Sequence, residues 1–250
     1  MLTRVQALSS GAVQSAIVVD QSRESADQLK KLPLVTEVLT FEPDMEQVAV
    51  EGHDHPAALD RALREGNFHT SHILVMDSDA FPTSNNWISR LDNIALALVP
   101  GSNTQTHPCL MTFPSALREK VCFSEDYLLR STRKGAPDTG RRVGKQLMAA
   151  GEEVTLLTPS PAFNGYRGSF YLDKAFYHHG HGSFVSGDHA QYKGFVSVAS
   201  ERLYRRKVLQ GKFSLTSLDF FALATRHIFR MLSNRIQLAI PKLFGQNKAN

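Results

Sequence analysis

The feature that most constrains the fold is an alternation of short apolar segments and helical segments in the first 80 residues. The apolar segments are rich in β-branched residues, as buried strands are. Helices are predicted between them, over residues 23–32 and 57–65, with Pro56 in a first helical turn and Gly66 as a stop. The apolar segments are residues 15–20 (SAIVVD), 35–41 (VTEVLTF) and 71–76 (SHILVM). This order predicts an α/β fold with a mostly parallel sheet flanked by helices.

The same two periodicities continue into the second half of the chain. A short helix is predicted around Trp87, and a longer one from Asp138, as its cap, to residue 150. Further strands are predicted over residues 94–99, 108–113 and 153–157. No linker is evident before about residue 185. We therefore expect a domain over residues 1–185 and a helical extension over residues 186–250.

The extension is strongly basic, although the whole chain carries a net charge of only +4. Residues 201–250 hold ten Lys and Arg against Glu201 and Asp219, a balance of +8, which leaves −4 for residues 1–200. Apolar residues in this extension recur at steps of three and four and form one helical stripe. They are Leu218, Phe221, Ala222, Thr225, Ile228, Phe229, Leu232, Ile236, Ala239, Ile240 and Leu243. Such a stripe predicts docking on an anionic membrane surface, and the alternative is packing on the sheet domain or on a second copy.

Other classes of protein are not favoured. The basic residues match no nucleic-acid-binding module, so no nucleic-acid partner is expected. No apolar run reaches the roughly 18 residues of a membrane-spanning helix, and the first 15 residues lack the apolar stretch of a signal peptide. Cys109 and Cys122 match no zinc or redox motif and are expected to be free thiols. We therefore expect a cytoplasmic protein, peripheral to the inner face of the membrane when its extension docks.

The motif with the clearest chemical meaning is Asp77-Ser78-Asp79, directly after the strand over residues 71–76. A bare D-x-D occurs about once by chance in a chain of this length, so its position carries the argument. The carboxyl end of a buried strand is where open α/β sheets bind ligands. Residues i and i+2 of a strand point the same way, so both carboxylates could reach one divalent cation. The alternative is a solvated Asp pair that caps the next turn.

Three motifs in order carry a resemblance to a known family. SAIVVDQS, then PAALDRALREG, then HILVMDSDAFP with Trp87 behind it, resemble the nucleotide-sugar half of a GT-A-fold glycosyltransferase, close to family 2. The resemblance covers roughly residues 15–185. It implies that Asp20 contacts the base or ribose of the nucleotide and that Asp77 and Ser78 belong to the nucleotide site. It also implies that Asp77 and Asp79 hold Mn²⁺ or Mg²⁺ against the diphosphate.

The resemblance also implies a catalytic base and a third metal ligand. The base of the family lies at a helix start, and Asp138 lies one residue upstream of the expected position, with Asp126 or a simple helix cap as alternatives. Residues 177–183 (YHHGHGS) resemble a late His-Gly loop of related transferases, with His178 in register to bind metal or phosphate. An imidazole ligand favours Mn²⁺ over Mg²⁺. A surface histidine tract and an adventitious zinc site are the alternatives.

The implied activity is transfer of a hexose from a nucleotide-diphosphate sugar, with inversion, to a glycan, lipid-linked or protein acceptor. One departure from the family stands at the start of the chain, where the usual first strand and its P-x-Y/F-N turn are missing and a helix is expected instead. The departure makes a degenerate, non-catalytic binding protein the alternative. A nucleotidyltransferase on a similar sheet is a further alternative, although its Gly/Arg/Lys-rich phosphate loop is absent after residues 15–20.

Overall fold

The structure is a computed structural model of the 250-residue chain. The residues it describes are 1–20, 26–42, 55–125, 139–161, 168–179, 203–213, 216–219, 221–222 and 225. The chain divides into two compact units. The first comprises Met1–Ala162 and Gly168–Ser183, and the second comprises Phe163–Arg167 and Phe184–Asn250.

The first unit is a mixed α/β structure, as the alternating segments predict. Its described strands are β1 (Ala16–Val19), β2 (Val35–Leu39), β3 (His72–Val75), β4 (Ala80–Pro82), β5 (Ala95–Leu98), β6 (Thr106–Pro114), β7 (Thr155–Leu157), β8 (Ser160–Pro161), β9 (Ser169–Tyr171) and β10 (Phe176–His178). The strands form three sheets with the orders β1-β2, β3-β6-β5-β7 and β4-β10-β9-β8. Its described α-helices are Leu2–Leu8, Ala26–Leu29, His55–Glu65 and Val143–Ala149, and its described 3₁₀-helices are Ile88–Arg90 and Ser115–Lys120.

The sheet β3-β6-β5-β7 is mixed, which corrects the prediction of a mostly parallel sheet. β6 runs antiparallel to both β3 and β5, and only β5 and β7 pair in parallel. The physical reason is the connection between β5 and β6, which spans only residues 99–105. A parallel crossover needs a dozen or more residues, so a connection this short returns the chain antiparallel. β1 and β2 do pair in parallel, with Ile17 opposite Glu37.

Core residues lie on both faces of the sheet β3-β6-β5-β7. Along β5, Ala95 and Ala97 face one apolar cluster with Trp87, whereas Leu96 faces a second cluster with Phe113. Because successive strand residues point to opposite faces, this division shows that both faces of β5 are covered. The continuous apolar run of residues 94–99 in the sequence therefore reflects a strand buried on both sides.

Two predicted helices differ from the observed ones. The helix predicted from Asp138 begins only at Val143, with Arg142 as its N-terminal flanking residue. Asp138 is therefore not its cap, and Asp138 itself lies outside the described residues. The helix predicted around Trp87 is a single 3₁₀ turn, Ile88–Arg90. The helix expected at the start of the chain is present as Leu2–Leu8.

In the second unit, the described residues include a helix over residues 203–209. Most of the predicted apolar stripe lies outside the described residues. Of its members, Leu218, Phe221, Ala222 and Thr225 are described, and Leu218 and Phe221 are 78% and 71% exposed. In the part of the chain that the structure describes, no helix combines the length and apolar character that crossing a membrane requires.

Candidate metal centre

The Asp pair follows β3 directly and turns the chain into β4. The backbone N–H of Ala80 donates to the carbonyl of Asp77 at 3.0 Å, which closes a tight turn between the two strands. The Asp77 side chain is 16% exposed and that of Asp79 is 12% exposed, whereas Ser78 is exposed. Buried carboxylates need compensating charge or hydrogen bonds. The pair is therefore not the solvated turn cap of the alternative interpretation.

His178 lies beside both carboxylates because β10 pairs with β4. In this antiparallel pair His178 is opposite Ala80, and the N–H of His179 donates to the carbonyl of Asp79 at 3.2 Å. His178 Nε2 lies 3.4 Å from Asp79 Oδ1 and 3.7 Å from Asp77 Oδ2. The sequence-predicted metal residues Asp77, Asp79 and His178 are thus brought together, with ligand atoms within 4.8 Å of one another.

The imidazole of His178 is electrostatically coupled to the acidic pair. Burial on its own disfavours the charged ring, but hydrogen bonds to Asp79 and Cys109 and the charge of Asp79 outweigh it and raise the pKa of His178 to about 11. The ring therefore carries a proton at neutral pH and offsets negative charge at the pair. A divalent cation would compete with this proton for the same carboxylate oxygens.

Three further side chains complete the cluster, and sequence reasoning missed all of them. On β6, His107 Nδ1 lies 3.5 Å from Asp77 Oδ2, and its ring centroid lies 4.8 Å from that of His178. Cys109, two residues along β6, is fully buried, and burial raises the pKa of its thiol. At the start of helix His55–Glu65, His55 Nε2 lies 4.0 Å from Asp77 Oδ1.

Polar neighbours position His107 and His55 in the cluster. The backbone N–H of Cys109 donates to His107 Nδ1 at 3.1 Å, so this nitrogen is unprotonated in that arrangement. The Thr139 hydroxyl lies 3.4 Å from His55 Nδ1. His55 and His107 are more exposed than His178, with 33% and 20% of their side chains accessible. They therefore form the open side of the cluster.

The cluster offers two different sets of metal ligands that share one residue. Asp77, Asp79 and His178 supply two carboxylates and an imidazole, whereas His107, Cys109 and His178 supply two imidazoles and a thiol. Carboxylate oxygens with one imidazole suit Mn²⁺, and oxygen-rich sets also suit Mg²⁺. The first set thus fits the divalent cation that the Asp pair predicts.

The remaining predicted site residues lie elsewhere or outside the described residues. Asp20 is buried at the carboxyl end of β1, and its backbone N–H donates to the carbonyl of Leu39 at 2.9 Å. Its role toward a nucleotide stays a prediction. Asp138 and its alternative Asp126 both lie outside the described residues, so the position of a catalytic base also stays a prediction.

Comparison with known proteins adds no family assignment. No protein-family model matches the chain, and no curated protein and no solved structure matches it either.

Proposed function

We propose that this protein is a metal-dependent glycosyltransferase that moves a sugar from a nucleotide-diphosphate sugar to an acceptor hydroxyl. The observation that carries the proposal is the group formed by Asp77, Asp79 and His178, whose ligand atoms lie within 4.8 Å of one another where β3 ends. The resemblance of residues 15–185 to GT-A-fold transferases supplies the reaction class. The proposed fold is correspondingly GT-A-like, and the proposed metal is Mn²⁺, with Mg²⁺ as the alternative.

The roles of the residues follow from their chemistry. Asp77 and Asp79 would hold the cation, and His178 would complete its ligands on the side of β10. Bound there, the cation would neutralise charge that develops on the nucleoside diphosphate as the sugar departs. Ser78, exposed between the two carboxylates, would face the nucleotide, and Asp20 would contact its base or ribose. Asp138 would take the proton of the acceptor hydroxyl.

A binding experiment tests the metal site without knowledge of the acceptor. Binding of Mn²⁺ and then of UDP and GDP is measured by calorimetry for the full chain and for Asp79→Ala. We expect the variant to lose Mn²⁺-dependent nucleotide binding, because one carboxylate alone would hold poorly the cation that neutralises the diphosphate. Asp92→Asn, at an exposed carboxylate, is the matched control. Unchanged titration curves for Asp79→Ala would contradict the proposal.

A kinetic experiment separates catalysis from binding. If Asp138 is the base, Asp138→Asn lowers kcat with little change in donor affinity, because a base acts mainly in the transition state. His178→Ala weakens metal or donor binding instead. Equal losses of kcat and donor affinity in both variants would contradict the assigned roles. Nucleotide binding with no transfer to any glycan, lipid-linked or protein acceptor would favour the non-catalytic alternative.

A further inference from the structure

The second ligand set in the cluster has a chemistry that the first set lacks. His107, Cys109 and His178 come from β6 and β10, and their ligand atoms lie within 4.8 Å of one another. A thiolate with two imidazoles is the donor set of Zn²⁺ and of similar transition ions, and Mg²⁺ and Ca²⁺ do not favour it. Cys109 is the only member that is fully buried, so its sulfur faces the cluster and not solvent.

Asp77 is the candidate for the fourth ligand of a tetrahedral site. Its Oδ2 atom lies 3.5 Å from His107 Nδ1 and 3.7 Å from His178 Nε2. Zinc bonds of about 2.0–2.3 Å place tetrahedral ligand atoms about 3.3–3.8 Å apart. Both distances fall within the range of a tetrahedral edge, which places Asp77 near enough to share an ion with the two histidines. A rotation of the His107 ring would exchange its hydrogen bond from the Cys109 N–H for a metal bond.

The two ligand sets exclude each other because they share His178. Its Nε2 atom lies 3.4 Å from Asp79 Oδ1, and one imidazole nitrogen binds one ion at a time, so an ion of the second set that takes this nitrogen removes it from the Asp77–Asp79 set. Asp77 Oδ2 is also close to members of both sets. An ion held by Cys109 would therefore take His178 away from the Asp77–Asp79 site. It would also compete with that site for Asp77.

We propose that His107, Cys109, His178 and Asp77 form a zinc-type site whose occupation displaces the hard divalent cation from Asp77 and Asp79. Zinc binding itself does not depend on the proposed transferase activity. The consequence for donor binding does rest on that proposed function, since it requires the nucleotide to bind through the displaced cation. Zn²⁺ would then be an inhibitor of a Mn²⁺-dependent enzyme through a site built into its sheet.

Co²⁺ is the probe, because a cobalt–thiolate bond gives a charge-transfer absorption band in the near ultraviolet. The reduced full chain is titrated with Co²⁺, and the same titration is run on Cys109→Ser and on Cys122→Ser. We expect the band in the wild type and in Cys122→Ser but not in Cys109→Ser. Cys122 is the matched control because it is the other free cysteine. No band in the wild type, or an equal band in Cys109→Ser, would overturn the proposal.

Two further measurements keep the test decisive. If Cys109→Ser fails to fold, His107→Gln replaces it, and we expect its Co²⁺ affinity to fall by at least about tenfold. Electron paramagnetic resonance then follows free Mn²⁺ while Zn²⁺ is added to the Mn²⁺-loaded wild type. Release of one Mn²⁺ per bound Zn²⁺ supports the shared site, and retention of Mn²⁺ at saturating Zn²⁺ overturns it. A Co²⁺ band together with no nucleotide binding would refute the transferase proposal alone.

Discussion

The contribution to stability that is easiest to predict comes from a buried carboxylate, which joins a helix to a loop distant in the sequence. Asp60, in helix His55–Glu65, is 5% exposed. Its Oδ1 accepts the backbone N–H of Phe123 at 2.6 Å, and its Oδ2 accepts that of Ser124 at 3.0 Å and the Ser124 hydroxyl. The Cys122 thiol donates to the same oxygen at 3.6 Å. The carboxylate therefore fixes the helix that carries His55 to the segment of residues 122–124.

The change Asp60→Asn keeps the shape of the side chain but replaces one acceptor oxygen with a donor NH₂ group. A hydrogen bond to a charged group contributes about 1.5–3 kcal/mol net, and a buried donor left without a partner costs about 1–3 kcal/mol. The variant loses one such bond to a backbone N–H, and the other becomes a neutral bond. We therefore expect the free energy of unfolding to fall by about 2–4 kcal/mol.

Urea denaturation of the two proteins measures this loss, and thermal melting should show a decrease of roughly 4–16 °C in Tm. Asp92→Asn, an exposed carboxylate, is the matched control and should stay within about 0.5 kcal/mol of wild type. A double-mutant cycle with Ser124→Ala should show coupling, because both side chains share one hydrogen bond. A change below about 0.5 kcal/mol for Asp60→Asn would refute the reasoning.

Three other predictions follow from the structure. Gly168 has φ +107°, and an added Cβ would lie 2.5 Å from the Tyr177 hydroxyl oxygen. Gly168→Ala should therefore lower the free energy of unfolding, measured in urea titrations, by about 1–3 kcal/mol. A variant as stable as wild type would contradict the described arrangement of β9 and β10. Cys122 is partly exposed and Cys109 is fully buried, and burial raises the pKa of both thiols. After iodoacetamide treatment of the native chain, mass spectrometry should therefore find Cys122 modified first. Faster modification of Cys109 would contradict the burial of β6. Full-length protein should sediment with anionic phosphatidylserine vesicles at low salt, whereas a truncation to residues 1–212 should not. A full chain that does not bind the vesicles would contradict the membrane role. A truncation that aggregates would indicate that the extension has a structural role.

The sequence predicts those residues of the cluster that either follow a recognisable apolar strand or lie in a motif that resembles a known family. Asp77 and Asp79 follow an apolar strand directly, and this position alone indicates that they leave the sheet together. His178 was placed beside them by a family motif, and the structure provides the physical contact through the β4–β10 pair. Two of these residues are carboxylates at the end of a strand, and the third is a histidine in a short strand.

His107 and Cys109 could not be predicted to join this cluster, because their position depends on the pairing of β6 with β3. A mostly parallel sheet would have placed β6 differently. The available signal was the short connection over residues 99–105, which excludes a parallel crossover between its flanking strands. With that connection recognised, the polar His107 and the cysteine two residues later would share one face of a strand antiparallel to β5, but the pairing with β3 would still be unknown.

The residues of the cluster lie far apart along the chain, from His55 through Asp77 and His107 to His178. An unfolded chain does not hold these groups together, so a bound cation favours the folded state by mass action. A concentration of one hundred times the dissociation constant adds about 2.7 kcal/mol to stability. The melting temperature of the first unit should therefore report the metal content of a preparation. If the proposed cation binds here, a distant substitution that loosens the β3–β6 or β4–β10 pairing should weaken its binding.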